Sequence, residues 1–315
     1  MREITPFGLF LPAIAREITL KCWSLDSASQ LMVHSLLGGD TTYVNQYDPS
    51  QLFPVSRETG RQALGLSSAD LPFEGFDLWN AYEFTYLTHD GVPRHLALRL
   101  WIPIQSPSLI ESKSMKLYLG SFAGSRFESE SEVIETIARD LSEALGLGQA
   151  ALETEQAKMP PELLVRVLSD ADLAVPSRPE GWICLDREIP EQILFDYSPS
   201  LLRVASNHAA SEVLYSDGFR SLCPVTGQPD FARIVLGYEG AEVDRAALLA
   251  YLLSYREHGD FAEQVAERLF VDLMRAFSPS ALWVRAEFTR RGGIDINTER
   301  FARCEPSPYQ RHPRQ

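Results

Sequence analysis

The sequence predicts an α+β fold made of two repeats of a strand-and-helix unit. In the first half, residues 76–88 and 94–104 are rich in aromatic and aliphatic side chains, and Asp90-Gly91 lies between them, which is typical of a β-hairpin. A polar loop then leads into a short helix. Apolar residues recur at every fourth position over 129–146, which predicts a second, amphipathic helix. This order of strands and helices favours an α+β architecture.

The second half of the chain repeats this order. One strand is predicted before two helices, over 243–255 and 261–277, and two strands follow around the turn Arg290–Gly293. Leu117–Phe122 can be laid on Ala250–Tyr255, which indicates an internal duplication. The alternative is that two unrelated pairs of amphipathic helices align equally well.

We expect three parts along the chain, which are an N-terminal module over 1–150, a connector over 151–195 and a C-terminal module over 196–315. The connector contains several prolines and acidic residues and one predicted strand, Leu163–Leu168. Residues 1–60 carry turn signals and are predicted to be irregular.

Composition and charge narrow the functional classes. Of the 315 residues, 45% are hydrophobic and 23% are charged, which is normal for a soluble globular protein. The net charge of −14 argues against direct binding to a nucleic-acid backbone, which needs a basic face. No apolar run has the length of a membrane span, and prolines interrupt the apolar N-terminal stretch. We therefore expect a cytoplasmic protein with no membrane partner.

The four cysteines, Cys22, Cys184, Cys223 and Cys304, are scattered and form no C-x-x-C pair. This pattern indicates a reducing compartment and neither a disulfide framework nor a zinc site. The six histidines form no H-x-x-x-H arrangement, so no metal cofactor is expected. The chain also lacks a P-loop and a dinucleotide glycine fingerprint, so a dinucleotide would have to be held by scattered basic residues.

Cys223 is the first candidate catalytic residue. It lies in a turn-rich stretch with Pro224, Gly227 and Pro229, and Asp230 follows just before a predicted strand. A cysteine on a rigid turn with a carboxylate at hand suits a thiol nucleophile with a proton donor. The alternative is a half-buried structural cysteine, which is common.

Three further clusters could bind a ligand. In Glu111–Lys116, a carboxylate beside two lysines could bind a ring N–H and a phosphate, although a solvated helix start is the alternative. In His258–Glu263, the acid Glu263 lies in the first turn of a helix, where the helix dipole alone favours it. The turn Arg290–Gly293 combines arginines that could hold phosphate with glycines that allow close approach, although an ordinary hairpin turn is the alternative.

These four clusters occur together in a known family. In this order they resemble the two-module 7-cyano-7-deazaguanine reductases, which are NADPH-dependent nitrile reductases of queuosine biosynthesis. The matching segments span nearly the whole chain and are Leu37–Arg57, Leu109–Phe122, Leu222–Asp230, His258–Glu263 and Phe288–Asn297. The resemblance implies a tunnelling fold of two modules, each an antiparallel sheet with a pair of helices on one face. It also implies that the modules associate through their sheets, and we expect a homodimer.

The resemblance further implies a role for each matching residue. Cys223 would attack the nitrile carbon to form a covalent thioimide, and Asp230, protonated because burial raises its pKa, would donate a proton to the nitrile nitrogen. The substrate would be bound by Ile110, Glu111, Ser112, Ala262 and Glu263. Two NADPH would be consumed per nitrile, without a metal, and the cofactor would be held by Ser112, Lys113, Lys116, Arg291 and Gly292.

One position departs from the family pattern. The segment 258–263 usually ends Phe-His-Glu, whereas here it ends Phe261-Ala262-Glu263. Without the imidazole, we expect the thioimide to form and its reduction to be slow. Two other hypotheses stay open, which are a deazaguanine-binding protein that oxidises no NADPH and a cysteine enzyme that consumes the nitrile without NADPH. The basic clusters argue against the last, because it leaves them without a role.

Overall fold

The computed structural model describes residues 44–147, 163–177 and 179–315. Strands in these ranges are β1 (Pro54–Ser56), β2 (Glu74–Thr88), β3 (Pro93–Pro103), β4 (Ser108–Ile110), β5 (Arg126–Phe127), β6 (Leu164–Val167), β7 (Ile183–Cys184), β8 (Val204–Leu222), β9 (Pro229–Val243), β10 (Ala281–Phe288) and β11 (Ile294–Ala302). The α-helices are α1 (Arg57–Ala63), α2 (Ser112–Ser121), α3 (Glu130–Leu145), α4 (Asp170–Leu173), α5 (Arg245–Leu253) and α6 (Ala262–Phe277). None of these helices is both long and apolar enough to cross a membrane.

A sheet of nine strands runs through the described residues, in the order β6-β3-β2-β11-β10-β9-β8-β7, with β5 added beside β2. Pairing is antiparallel except at the short β2–β5 and β7–β8 contacts. The two predicted modules meet where β2 pairs with β11, from Glu74 opposite Phe301 to Ala81 opposite Ile294. The predicted α+β class with antiparallel sheets is therefore confirmed, and the sheet is continuous between the modules.

The predicted hairpin and long helices are also confirmed. The turn between β2 and β3 contains Gly91, whose φ of 83° lies in the left-handed region that glycine adopts without strain. Helix α3 begins after Ser129, whose side chain caps it, and ends at Gly146 with a φ of 74°. The apolar stripes of α3 and α6 are buried, and they consist of Val133, Ile137, Leu141, Leu145, Val265, Leu269 and Leu273.

A buried tyrosine–carboxylate pair joins the two long helices of each module. Tyr118 of α2 donates to Asp140 Oδ2 of α3 at 2.7 Å, and Tyr251 of α5 donates to Asp272 Oδ2 of α6 at 2.5 Å. A second tyrosine donates to each carboxylate, and these are Tyr47 and Tyr197. Tyr118 and Tyr251 are also the residues that the alignment of the two halves pairs, so the structure supports an internal duplication.

Two elements differ from the sequence prediction. Helix α1 begins at Arg57, with Ser56 as its cap, inside a region that was predicted to be irregular. Residues 1–43 of that region lie outside the described residues. Strand β8 is 19 residues long and was not predicted, because its first half is polar and exposed and its pairing with β9 shifts register. Such a strand shows no alternation of apolar and polar residues.

The predicted connector contributes strands to both ends of the sheet. Its predicted strand, Leu163–Leu168, is confirmed as β6, which pairs with β3. Its second strand, β7, pairs with β8 at the other end. Residues 148–162 lie outside the described residues, and the division into domains at 150 and 195 stays a prediction.

Candidate active site

A cleft lies at the N-terminal ends of α2 and α6, beside the first residues of β9 and the last residue of β10. It is lined by residues from both halves of the chain. The predicted site residues in its wall are Ile110, Ser112, Lys116, Cys223, Asp230, Ala262, Glu263 and Arg291. The predicted Gly292 lines an adjoining groove together with Lys116. The fold thus brings most of the four sequence clusters to one place.

Cys223 lies at the start of the loop that joins β8 to β9. Its N–H donates to the carbonyl of Gln228 at 2.8 Å, and its carbonyl accepts from the N–H of Gly227 at 2.9 Å. Gly227 has a φ of 67°, which suits glycine at this tight loop. The preceding Leu222 donates to the carbonyl of His258 at 2.8 Å. These backbone bonds fix a half-buried free thiol in the wall of the cleft.

Asp230 is the second residue of β9, opposite Ser221 of β8. Burial raises the pKa of its carboxyl group, although the positive charges of Arg291 and Lys116 oppose this shift. The guanidinium of Arg291 donates a hydrogen bond to Oδ1 of Asp230. The direction of the pKa shift agrees with the sequence prediction, so Asp230 holds a proton to a higher pH than an ordinary aspartate.

The N-terminus of α2 carries the predicted substrate motif. The buried carboxylate of Glu111 caps this helix, because it accepts from the N–H groups of Lys113 at 2.9 Å and Ser114 at 2.8 Å. Its neighbours Ile110 and Ser112 line the cleft, whereas Glu111 and Lys113 are not part of the lining. The predicted role of Glu111, a hydrogen bond to the substrate ring, stays a prediction.

Lys116 and the turn after β10 form the basic side of the cleft. Burial and the nearby charge of Arg291 lower the pKa of Lys116. Gly292 has a φ of 58°, and a Cβ at this position would lie 3.2 Å from Cδ of Lys116. At Gly293, with a φ of 80°, a Cβ would meet the carboxylate of Glu83. The two glycines therefore allow the turn to approach α2 and β2 closely.

Glu263 lies in the first turn of α6 and is buried in the wall of the cleft. Burial raises its pKa to about 8, and the negative charge of Asp77 adds to this shift while Arg57 and Arg300 oppose it. Asp77 itself accepts hydrogen bonds from Arg57 at 2.6 Å and Arg300 at 2.8 Å. Burial thus outweighs the opposing charges of the two arginines, and Glu263 holds its proton to a higher pH than an ordinary glutamate.

Replacing Glu263 with glutamine should flatten the dependence of stability on pH. The pKa of Glu263 is higher in the folded protein, about 8, than its ordinary value of 4.5. The free energy of unfolding therefore falls between these two pH values, by about 1 kcal/mol per pH unit for this one group. Glu263→Gln removes that loss, so its melting temperature at pH 8 should exceed that of the wild type.

Thermal unfolding measured across this pH range tests the prediction. Glu135→Gln, at an exposed position of α3, is the matched control and should follow the wild type. Parallel curves for Glu263→Gln and the wild type would show that Glu263 is ionised in the folded protein.

Ala262 lines the cleft at the position where the family pattern has histidine. His258 does not take over this position, because its Nε2 lies 2.8 Å from Oδ2 of Asp260 and its ring packs 5.0 Å from that of Tyr197. Asp260 also accepts from Arg268 at 2.7 Å. Although burial acts to raise it, the pKa of Asp260 is lowered by its bonds with His258 and Arg268. His258 is therefore part of a structural network.

The apolar wall of the cleft was not predicted from the sequence. This wall is formed by side chains of β2, β10 and β11, namely Trp79, Phe288, Ile294 and Ile296. Alternation along each strand indicates which residues share a face, but the pairing of distant strands cannot be read from it. Nε1 of Trp79 is buried and has no hydrogen-bond partner among the described residues. An apolar wall with a few polar groups suits a planar heterocyclic ligand.

Two family models match this chain. The one described as "Nitrile reductase, 7-cyano-7-deazaguanine-reductase N-term" matches residues 43–151, and the one described as "QueF-like protein" matches residues 229–306. Asp230, Glu263 and Arg291 lie within the second range, whereas Cys223 precedes it.

Curated relatives match the chain over most of its length. They include proteins named NADPH-dependent 7-cyano-7-deazaguanine reductase from Burkholderia ambifaria, Burkholderia lata and Burkholderia pseudomallei. Each is 42% identical to this chain, over 277 residues for the first and 276 for the other two. The matched region covers 87% of this chain and 96% of each relative.

Proposed function

Because the chain belongs to the 7-cyano-7-deazaguanine reductase family, we propose that its cleft reduces the nitrile of 7-cyano-7-deazaguanine to an aminomethyl group with NADPH. The product, 7-aminomethyl-7-deazaguanine, serves the biosynthesis of queuosine in tRNA. The observation that carries this proposal is the meeting of Cys223, Asp230 and Glu263 in one cleft with Lys116 and Arg291. The proposed enzyme acts as a homodimer, without a metal and without direct contact to nucleic acid.

The first chemical step joins the nitrile to Cys223. Cys223 first loses its thiol proton to solvent, and its thiolate attacks the nitrile carbon, so that a C–S bond forms and one C–N π bond breaks. The nitrogen takes the proton that Asp230 holds, and the product is a thioimide. The raised pKa of Asp230 supports this role, because a general acid must keep its proton at the pH of the reaction.

We assign recognition of the deazaguanine ring to the side-chain carboxyl group of Glu263. The ring presents N–H donors, which an ionised carboxylate accepts, so substrate binding would be coupled to loss of the proton from Glu263. Ile110, Ser112 and Ala262 would contact the ring beside it. Glu111 would contribute through lone pairs that its two cap bonds leave free.

The basic side of the cleft fits a dinucleotide that carries phosphates. Lys116 and Arg291 supply positive charge, and the backbone at Gly292 comes within close reach of Lys116. Ser112 and Lys113 lie in the first turn of α2, and their side-chain hydroxyl and ammonium groups would donate to a phosphate there. NADPH supplies hydride when it is bound there. Conversion of a nitrile to a primary amine takes four electrons and four protons. Each NADPH delivers one hydride, which carries two electrons, so two NADPH would be consumed per nitrile.

A mixing experiment tests this function. The protein is first incubated with 7-cyano-7-deazaguanine while the absorbance of a thioimide is followed, and NADPH is then added. We expect an absorbance band that decays as about two NADPH are oxidised per nitrile. A band that persists with no oxidation would favour a binding protein. Loss of the nitrile without oxidation of NADPH would favour a hydrolytic cysteine enzyme.

Replacing Ala262 with histidine should accelerate the reduction of the thioimide. Ala262 lines the cleft, and an imidazole there could assist proton transfer to the substrate nitrogen. General acid–base catalysis of this kind contributes a factor of about 100 or more. The measurement is the single-turnover decay of the thioimide after addition of NADPH.

Ala262→Leu is the control for this experiment, since it adds bulk without a proton donor. Because Ala262 would contact the ring, the decay rate is compared only for thioimide that each variant has already formed. Equal decay rates in Ala262→His and the wild type would show that the missing imidazole does not limit the reaction.

A further inference from the structure

The turn Arg290–Gly293 is supported from the sheet face that lies opposite the cleft. Side chains alternate along β11, so that Ile294 and Ile296 line the cleft while Asp295 and Asn297 belong to the other face. Both of these polar side chains are buried. Buried polar groups need hydrogen-bond partners, and those partners come partly from the segment 306–315.

Asp295 is the centre of a polar cluster, which we define as Asn80, Tyr82, Asp295, Asn297 and Gln315. All of these residues are buried except Tyr82, which is half-buried. Its Oδ1 accepts from Nδ2 of Asn80 and Nδ2 of Asn297, each at 2.7 Å. Its Oδ2 accepts from the hydroxyl of Tyr82 at 2.5 Å. Nε2 of Gln315 donates to Oδ1 of Asn297 at 2.5 Å. Gln315 therefore completes the cluster from outside the sheet.

Gln315 also contacts the strand that leads into the turn. Its Nε2 donates to the carbonyl of Phe288, the last residue of β10, at 3.3 Å. Its Oε1 accepts from the hydroxyl of Tyr309 at 3.0 Å and from the N–H of His312 at 3.4 Å. With a relative exposure of 6%, the side chain has little access to water that could replace these partners.

Tyr82 connects the polar cluster to the turn. Its N–H, at a bulge of β2, donates to the carbonyl of Gly293 at 2.9 Å. The guanidinium of Arg290 lies 5.0 Å from the centre of its ring, and that of Arg311 lies 4.7 Å from it. Arg311 in turn donates to the main-chain oxygen of Gln315 at 2.7 Å. A continuous set of contacts thus runs from Gln315 to the turn.

We propose that Gln315 is a positioning residue for NADPH, because it fixes the polar cluster that holds the turn Arg290–Gly293 in its binding shape. This inference rests on the proposed function, which assigns Arg291 and Gly292 to the cofactor. Gln315 is not part of the cleft lining, and its contact with Phe288, whose side chain lines the cleft, is to the main-chain carbonyl alone. Its loss should therefore act on the cofactor through the turn and leave the attack by Cys223 unchanged.

The experiment compares NADPH binding and thioimide formation in Gln315→Ala. We expect the dissociation constant for NADPH, measured by titration calorimetry, to rise about tenfold. This is the size of effect that loss of one buried hydrogen bond has when it supports the binding shape. The rate of thioimide formation without NADPH should stay within a factor of about two. Gln315→Glu should weaken NADPH binding at least as much, because a carboxylate cannot donate to Asn297 or Phe288.

Tyr82→Leu is the second variant. It removes the ring and hydroxyl through which the cluster contacts Arg290 of the turn, and it should also weaken NADPH binding selectively. Gln310→Ala is the matched control at an exposed position of the same segment, and it should bind NADPH as the wild type does. Unchanged NADPH affinity in Gln315→Ala or Tyr82→Leu would overturn the inference. A parallel loss of thioimide formation and melting temperature would also overturn it, since that result indicates a general structural role. Failure of the proposed function would differ, because the wild type itself would then neither form the thioimide nor bind NADPH.

Discussion

A Cys223→Ala protein forms no thioimide and oxidises no NADPH in the presence of the nitrile. Hydride does not add readily to a nitrile, so reduction requires the imine-like adduct that the thiol creates. Loss of the nucleophile from an enzyme that works through a covalent intermediate costs up to about a millionfold in turnover. Absorbance of the adduct and oxidation of NADPH measure the two losses. Binding of the nitrile should survive, because Glu263 and the apolar wall are unchanged.

The other described cysteines provide controls for this experiment. Cys184 and Cys304 are half-buried free thiols that are not part of the cleft lining. Burial raises the pKa of the Cys304 thiol, which disfavours the nucleophilic thiolate. Cys184→Ala and Cys304→Ala should therefore retain wild-type activity. A Cys223→Ala protein that oxidises NADPH at more than about a thousandth of the wild-type rate would contradict the covalent mechanism.

An Asp230→Asn protein forms the thioimide about a hundredfold to ten-thousandfold more slowly than the wild type. Asparagine keeps the shape of the side chain but cannot transfer a proton to the nitrile nitrogen, and general acids contribute rate factors of this size. In the wild type, the rate should fall as the pH rises through the raised pKa of Asp230, because only the protonated carboxyl donates. This descending part of the pH profile should be absent from Asp230→Asn.

Stopped-flow absorbance across a range of pH measures both effects. Asp170→Asn, at an exposed position of α4, is the matched control and should keep the wild-type profile. If Asp230→Asn retained both the rate and the descending limb of the wild type, the proton would come from another group. Protonated Glu263 would then be the next candidate, because it lines the same cleft.

The parts of the fold that were predicted from the sequence are those with local signals. The turn at Gly91 is encoded by a few neighbouring residues, and the apolar stripe of α3 by residues four positions apart. The sequence alone therefore identifies both elements. Strand β8 was missed because it is polar and exposed over its first half. Its partners, β9 and the short β7, are set by tertiary pairing that local patterns do not encode.

The candidate site shows the same division. The motifs around Cys223 and Glu263 predicted which segments meet, and both lie in the cleft. The protonation of Glu263 could not be predicted, since it depends on burial and on the charge of Asp77 in the other module. The capping bonds of Glu111 and the support that Gln315 gives to the turn are likewise visible only once the chain is folded.

The most direct test of the account is the intact mass of the protein after incubation with 7-cyano-7-deazaguanine in the absence of NADPH. We expect the mass to increase by that of one nitrile molecule, with the added mass on the peptide that contains Cys223, and to return to its original value when NADPH is added. No added mass, or an adduct on another residue, would contradict the assignment of Cys223 as the nucleophile.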